Sequence, residues 1–242
     1  GASTIVVDPA SEGHTAILRF AALARSGDGA TLNFAGTGLG ESDRCRVFIT
    51  GQGEGLIGNW VTVNGTQAAF YDATRGVCAT TPTTWTATDI AARGPNAVVP
   101  DDATADVRIT ESGESGPVTL AGDPTDGIVR LTQCAATSSV IATASKTLRS
   151  YRIGIADGGA ALTLGENTGD GAVAPLAAGG TLDFDNESSS ALTVNAALAD
   201  NGSASSFSKS GDGDVIVAGS TLYTGTTAIN GGSLIFNSHD VT

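Results

Sequence analysis

With 242 residues, 40% of them apolar and 5% aromatic, the chain can bury a sizeable core and is too apolar to be disordered. Its net charge of −13, from 25 acidic and 12 basic residues, excludes nucleic acid and anionic lipid as favoured partners, because phosphate contacts draw on Lys and Arg and the lysines are only Lys146 and Lys209. There is no apolar run long enough to span a membrane.

Cys45, Cys78 and Cys134 show no CxxC spacing, and His14 and His239 stand at opposite ends, so no metal, redox centre or cofactor is expected. The chain opens on Gly1 and contains no methionine, which points to a mature chain whose leader was removed, or to an excised fragment. In an exported chain Cys45 and Cys78 are the disulfide candidates, leaving Cys134 free or available between chains. Three small buried thiols are the alternative.

In chain order, Thr4 to Val7 reads as a strand stopped by Asp8-Pro9. The stretch 15–24 is a strand by the alternation of Ala16, Leu18 and Phe20, or a short capping helix by the spacing of Ile17, Leu18, Ala21, Ala22 and Arg25. From 26 to 79 Gly turns separate short strands, with Leu32 and Phe34 sharing one face and Val47 and Ile49 another, and with Val61, Val63, Phe70 and Val77 in later strands. The Gly-rich strings 36–40 and 51–58 lack a following helix and read as corners, not nucleotide loops. Residues 80–104 hold three of the seven prolines and little alternation, so they read as a loop excursion. Trp85, Asp101 and Asp102 are its recognition candidates, and Asp89 with Asp101 and Asp102 reads as a solvated loop rather than a cation site.

Beyond Ala105 the predicted strands are 107–110, 118–120, 128–132, 140–143, 151–155, 162–164, 181–184 and 191–194, separated by Gly-bearing turns. The stretch 207–236 is the clearest repeat, with three apolar runs at 215–217, 226–229 and 234–236 and Gly corners between them. Chains that turn this often leave no room for a helix.

Within that repeat Lys209, Gly211, Gly213, Val215, Val217, Gly219, Tyr223, Gly225, Thr226, Thr227, Ile229, Gly231 and Leu234 follow one order. It runs Lys-x-Gly-x-Gly, apolar strand, Tyr-x-Gly-x-Thr, Asn-Gly-Gly-x-Leu. The segment resembles the autotransporter-associated β-strand repeat, also called the passenger-associated transport repeat. Trp60, Val61, Thr62, Val63, Tyr71 and Asp72 likewise resemble segments that lie upstream of that repeat in large surface proteins. The resemblance implies an all-β chain, one elongated right-handed parallel β-helix over 1–242, on the surface of a bacterium with an outer membrane or in its medium. An antiparallel β-sandwich is the competing fold, since Asn64-Gly65, Asn201-Gly202 and Asn230-Gly231 are good hairpin signals. Irregular Gly spacing and few aromatics weigh against it.

Catalysis requires convergent groups, and neither histidine has a Gly-x-Ser-x-Gly partner. The same-face pairs Arg44 with Arg46 and Asp183 with Asp185 read as a surface charge ladder, so no enzyme is expected. The expected function is a structural subunit that polymerises with itself head-to-tail, through Ile5, Val6 and Val7 at one end and Leu234, Ile235 and Phe236 at the other. Alternatives are a monomeric passenger fragment of an adhesin, with surface glycans as partners, and a glycan-binding or glycan-cleaving β-helix.

Overall fold

The computed structural model describes residues 1–9, 13–25, 30–58, 60–65, 67–79, 85–91, 97–110, 116–122 and 127–237. These contain strands and no helix, and most strand pairing is parallel. The chain forms two compact units, Gly1–Trp85 and Thr86–Thr242.

In the first unit Ala2–Val6, Thr31–Ala35 and Val61–Val63 pair in parallel, as do Ala16–Phe20 and Cys45–Ile49. The stretch 15–24 therefore provides a strand, and Ala16, Leu18 and Phe20 turn toward the core while Ile17 and Arg19 face out. Its alternation wins because a helix would bury Arg19 or Arg25 with the apolar residues. Three antiparallel pairings close the unit, one of them Gly55–Leu56 against Phe70–Asp72. Asn64 (φ 50°) and Gly65 (φ 88°) turn Val61–Val63 back onto Gln67–Ala68, the left-handed pair that a tight hairpin needs. Phe70–Asp72 turns onto Gly76–Cys78 around the buried Asp72 carboxylate, which accepts from Thr74 N at 2.8 Å and Arg75 N at 2.9 Å.

The second unit alternates between two sheets along the chain. Thr86–Ile90, Asp102–Ile109, Ile128–Gln133, Thr147–Ile155, Thr181–Asn186, Ser206–Ser210 and Thr227–Ile229 join one parallel sheet. Val98–Val99, Val118–Leu120, Ser139–Ala142, Leu162–Leu164, Leu192–Val194, Asp214–Val217 and Ser233–Phe236 join the other. Ala172–Pro175 extends the first sheet beside Thr147–Ile155 and pairs with Ala197–Leu198.

Register stacks like on like. Val107, Leu131, Ile153, Phe184, Lys209 and Ile229 form one column. Val118, Ile141, Leu164, Val194, Val217 and Phe236 form another in the second sheet. All but the final member of each are buried, and their apolar side chains join the core of this unit. A narrow interior between two short-stranded sheets suits Val, Ile and Leu, which explains the scarcity of aromatics. Buried polar side chains mark the corners between the sheets. Asn186 Nδ2 donates to Ser190 O at 2.7 Å and Asp214 O at 2.8 Å, and Gln133 Nε2 donates to Thr137 O at 2.8 Å, so the turning backbone keeps its partners.

The loop excursion expected over 80–104 is corrected in part. Thr86–Ile90 pairs with Asp102–Ile109, from Thr86 opposite Ala105, and Val98–Val99 pairs with Val118–Leu120. Prolines hid these strands, but Pro100 lies between them and interrupts neither. Pro82 and Pro95 lie outside the described residues, as does His239.

Candidate functional site

Side chains two apart on a strand share a face, and parallel register then lines up residues distant in sequence. On the outward face of the longer sheet one column reads Asp106, Arg130, Arg152, Asp183, Ser208. Its neighbour reads Asp89, Arg108, Thr132, Gly154, Asp185, Ser210. Opposite charges meet across the strands. Arg108 donates to both carboxylate oxygens of Asp89, at 2.9 and 3.1 Å, and Arg130 Nε donates to Asp106 at 2.8 Å. Arg152 spans two carboxylates of the following rung, reaching Asp183 at 2.9 Å and Asp185 at 2.6 Å. Ser208 and Ser210 each donate to Asp183 at 2.6 Å. Asp183 and Asp185 share the outward face as expected, but Asp183 is buried among Arg152, Ser208 and Ser210 and is not a surface charge. The cationic half of the ladder, Arg130 and Arg152, escaped the sequence reading, although the alternation in Ile128–Gln133 and Thr147–Ile155 already put both arginines opposite the apolar positions.

Beside this ladder lies a groove of about 570 Å³ lined by Arg130, Arg152, Gly154, Asp185, Glu187 and Asp212, with Thr132, Ile155, Ala156 and Asp157 completing its wall. Gly154 sets its floor. A Cβ there would lie 2.1 Å from the Asp185 carbonyl oxygen, so only glycine lets the two strands approach this closely. Desolvation at the groove raises the Glu187 pKa above the ordinary carboxylate value. The negative charge of Asp185, a hydrogen bond shared with it, and the charge of Asp212 act in the same direction, while Arg152 opposes them.

An acid whose folded pKa is raised lends stability that is present below its unfolded value, near 4.5, and is lost as pH rises through the folded value. Glu187→Gln keeps a neutral donor toward Asp185 at every pH. Its stability relative to the parent chain is therefore expected to increase from about pH 4 to about pH 7, by under about 1 kcal/mol because the site is solvent-screened. Melting temperatures of the two chains across that range check this, and parallel curves would contradict it.

The other expected site residues are dispersed. Trp85 packs edge-on against Phe70, ring centroids 5.5 Å apart. Asp101 accepts from Gly127 N at 2.7 Å and Asp102 from Thr104 N at 2.8 Å, so both carboxylates brace turns. Asp89 is engaged with Arg108, and among the described residues no group of three His, Cys, Asp or Glu is placed to hold a metal ion. In the first unit Arg46 pairs with Asp43, and Arg44 Nε donates to the His14 carbonyl at 3.2 Å. Lys146 Nζ donates to Leu120 O at 3.0 Å.

The Cys45–Cys78 disulfide is corrected: both are buried thiols and no disulfide joins them. Cys45 Sγ donates to the Val7 carbonyl at 2.7 Å and Cys78 Sγ to that of Phe70 at 3.8 Å, so each sulfur turns to a different strand. Burial raises the Cys45 pKa, and Cys134 is free and exposed.

Of the assembly candidates, Ile5 is half-buried, Val6 is 66% exposed and Val7 is buried. Leu234 is half-buried against the core, while Ile235 and Phe236 are 39% and 47% exposed. Comparison with protein-family models, curated proteins and solved structures finds no match to this chain.

Proposed function

We propose that the chain is an extracellular structural protein of a bacterium with an outer membrane, related to the autotransporter-associated β-strand repeat proteins. In this reading it folds as a right-handed parallel β-helix and builds a surface filament or sheath by head-to-tail stacking. Its role is mechanical and not enzymatic. What supports the fold is the alternation of chain segments between two parallel sheets with in-register apolar columns.

The observation that carries the assembly is the exposed apolar rung formed by Thr227–Ile229 and Ser233–Phe236. Thr227–Ile229 and Ser233–Phe236 each end a sheet among the described residues, and Ile229, at 57% exposed, and Phe236 continue columns that are buried everywhere before them. An open strand edge with apolar side chains is a template for another strand. In the first unit Ala2–Val6 also ends its sheet and exposes Val6. A second copy that sets its first strands on this rung covers both, and because such a contact is heterologous it propagates into a fibre.

Sedimentation velocity and electron microscopy over a concentration series are expected to give fibres from the parent chain. Phe236→Lys with Ile235→Lys should leave monomers with an unchanged circular dichroism spectrum. Uniform monomers of the folded parent chain at the highest concentration would refute the assembly.

A further inference from the structure

Independently of assembly, we propose that the outer-face groove binds a neutral, hydroxyl-rich chain, an oligosaccharide. The lining offers fixed donors and fixed acceptors side by side: the guanidinium groups of Arg130 and Arg152, and the carboxyl groups of Asp157, Asp185, Glu187 and Asp212. A hydroxyl both donates and accepts, so vicinal hydroxyls bridge a guanidinium and a carboxylate at once.

Other ligand chemistries fit less well. Carboxylates outnumber the arginines, which repels an anion. The two arginines stand in the way of a compact cation, and the apolar lining is limited to Ile155 and Ala156.

Free valences and shape point the same way. Asp157 and Asp212 are exposed and form no ion pair among the described residues, so their lone pairs are open to a ligand. Arg130, Arg152 and Asp185 come from three consecutive strands of the sheet, and Asp212 from the corner after the fourth. At the usual strand separation this run covers about 14 Å, the length of a short oligosaccharide laid across the rungs.

Saturation-transfer NMR and titration calorimetry on the full chain, with neutral trisaccharides of glucose, galactose and N-acetylglucosamine, test this. At least one is expected to bind with a Kd near or below about 1 mM. The exposed variants Asp157→Ala and Asp212→Ala should each weaken it by about tenfold or more, roughly one lost charge-assisted hydrogen bond. Thr132→Trp, which fills the groove, should abolish it. The melting temperature of each variant identifies any that is misfolded, and the remaining variants then decide. Spermidine is run alongside. The proposal is overturned if no trisaccharide binds, if binding survives all three variants in folded form, or if spermidine alone binds with that dependence on the variants.

Discussion

Phe184→Ala is expected to destabilise the second unit by about 3–5 kcal/mol, the cost of emptying a buried aromatic site. Phe184 is 1% exposed and occupies the same inward column as Ile153 on one side and Lys209 on the other. Its ring stacks on Phe207 with centroids 5.9 Å apart and planes inclined by 14°, and Phe207 in turn meets Tyr223 at 4.5 Å. The truncation therefore removes the first ring of a three-ring stack, and strands held in parallel ladders on both sides cannot collapse into the void. A loss of this size corresponds to a fall in melting temperature of about 10 °C for a unit of this length. Phe184→Leu, which retains most of the volume, should cost less than half as much. Urea unfolding followed by circular dichroism measures both, and a loss below about 1 kcal/mol for the alanine variant would show that the stack carries no packing energy.

The strands around Phe184 were legible because apolar and polar residues alternate along 181–186 and 162–164, while 128–133 and 214–217 carry short runs of apolar, mostly β-branched residues. Ala172–Pro175 was not, since Ala, Val, Ala and Pro give no alternation and Pro reads as a stop. Thr86–Ile90 was hidden for a related reason, as its inward positions Thr86 and Thr88 are polar and only Ile90 among them is strongly apolar. The Asn-Gly dipeptide shows what local chemistry leaves open. Asn64-Gly65 makes an antiparallel hairpin, whereas Asn230-Gly231 joins strands of different sheets. The dipeptide sets the bend, and where the next apolar run finds a partner sets the pairing. The ladder was readable as charges but not as contacts. Asp89 and Arg108 are separated by 19 residues and Asp106 and Arg130 by 24, so the facing partners depend on loop lengths that carry no periodic signal.

Lys209→Met is expected to cost about 2–4 kcal/mol, although Met fills much the same volume with apolar atoms. Lys209 stands in the inward column between Phe184 and Ile229, fully buried. Its ammonium donates to the carbonyls of Ser210, of Gly211 at 2.7 Å and of Gly231 at 3.2 Å, which ties together the corners of two successive rungs. Those corners are glycine for a reason: Gly211 has φ +73°, and a Cβ there would lie 2.3 Å from the Asn186 carbonyl oxygen. The lysine and the glycine of the Lys-x-Gly-x-Gly opening thus act on the same turn, one permitting the bend and the other satisfying its carbonyls. Burial pushes the ammonium pKa below the ordinary lysine value, while Asp185 and Asp183 hold it up, so charge burial opposes the bonds the ammonium makes. Hydrogen bonds to a charged donor are worth about 1.5–3 kcal/mol each, and Met leaves three corner carbonyls without that donor, which outweighs the relief of desolvation. Amide hydrogen exchange should show the loss as faster opening of 206–217 and 227–236 than of 128–155. Equal or greater stability of Lys209→Met in urea would mean that burying the ammonium costs more than its three bonds return.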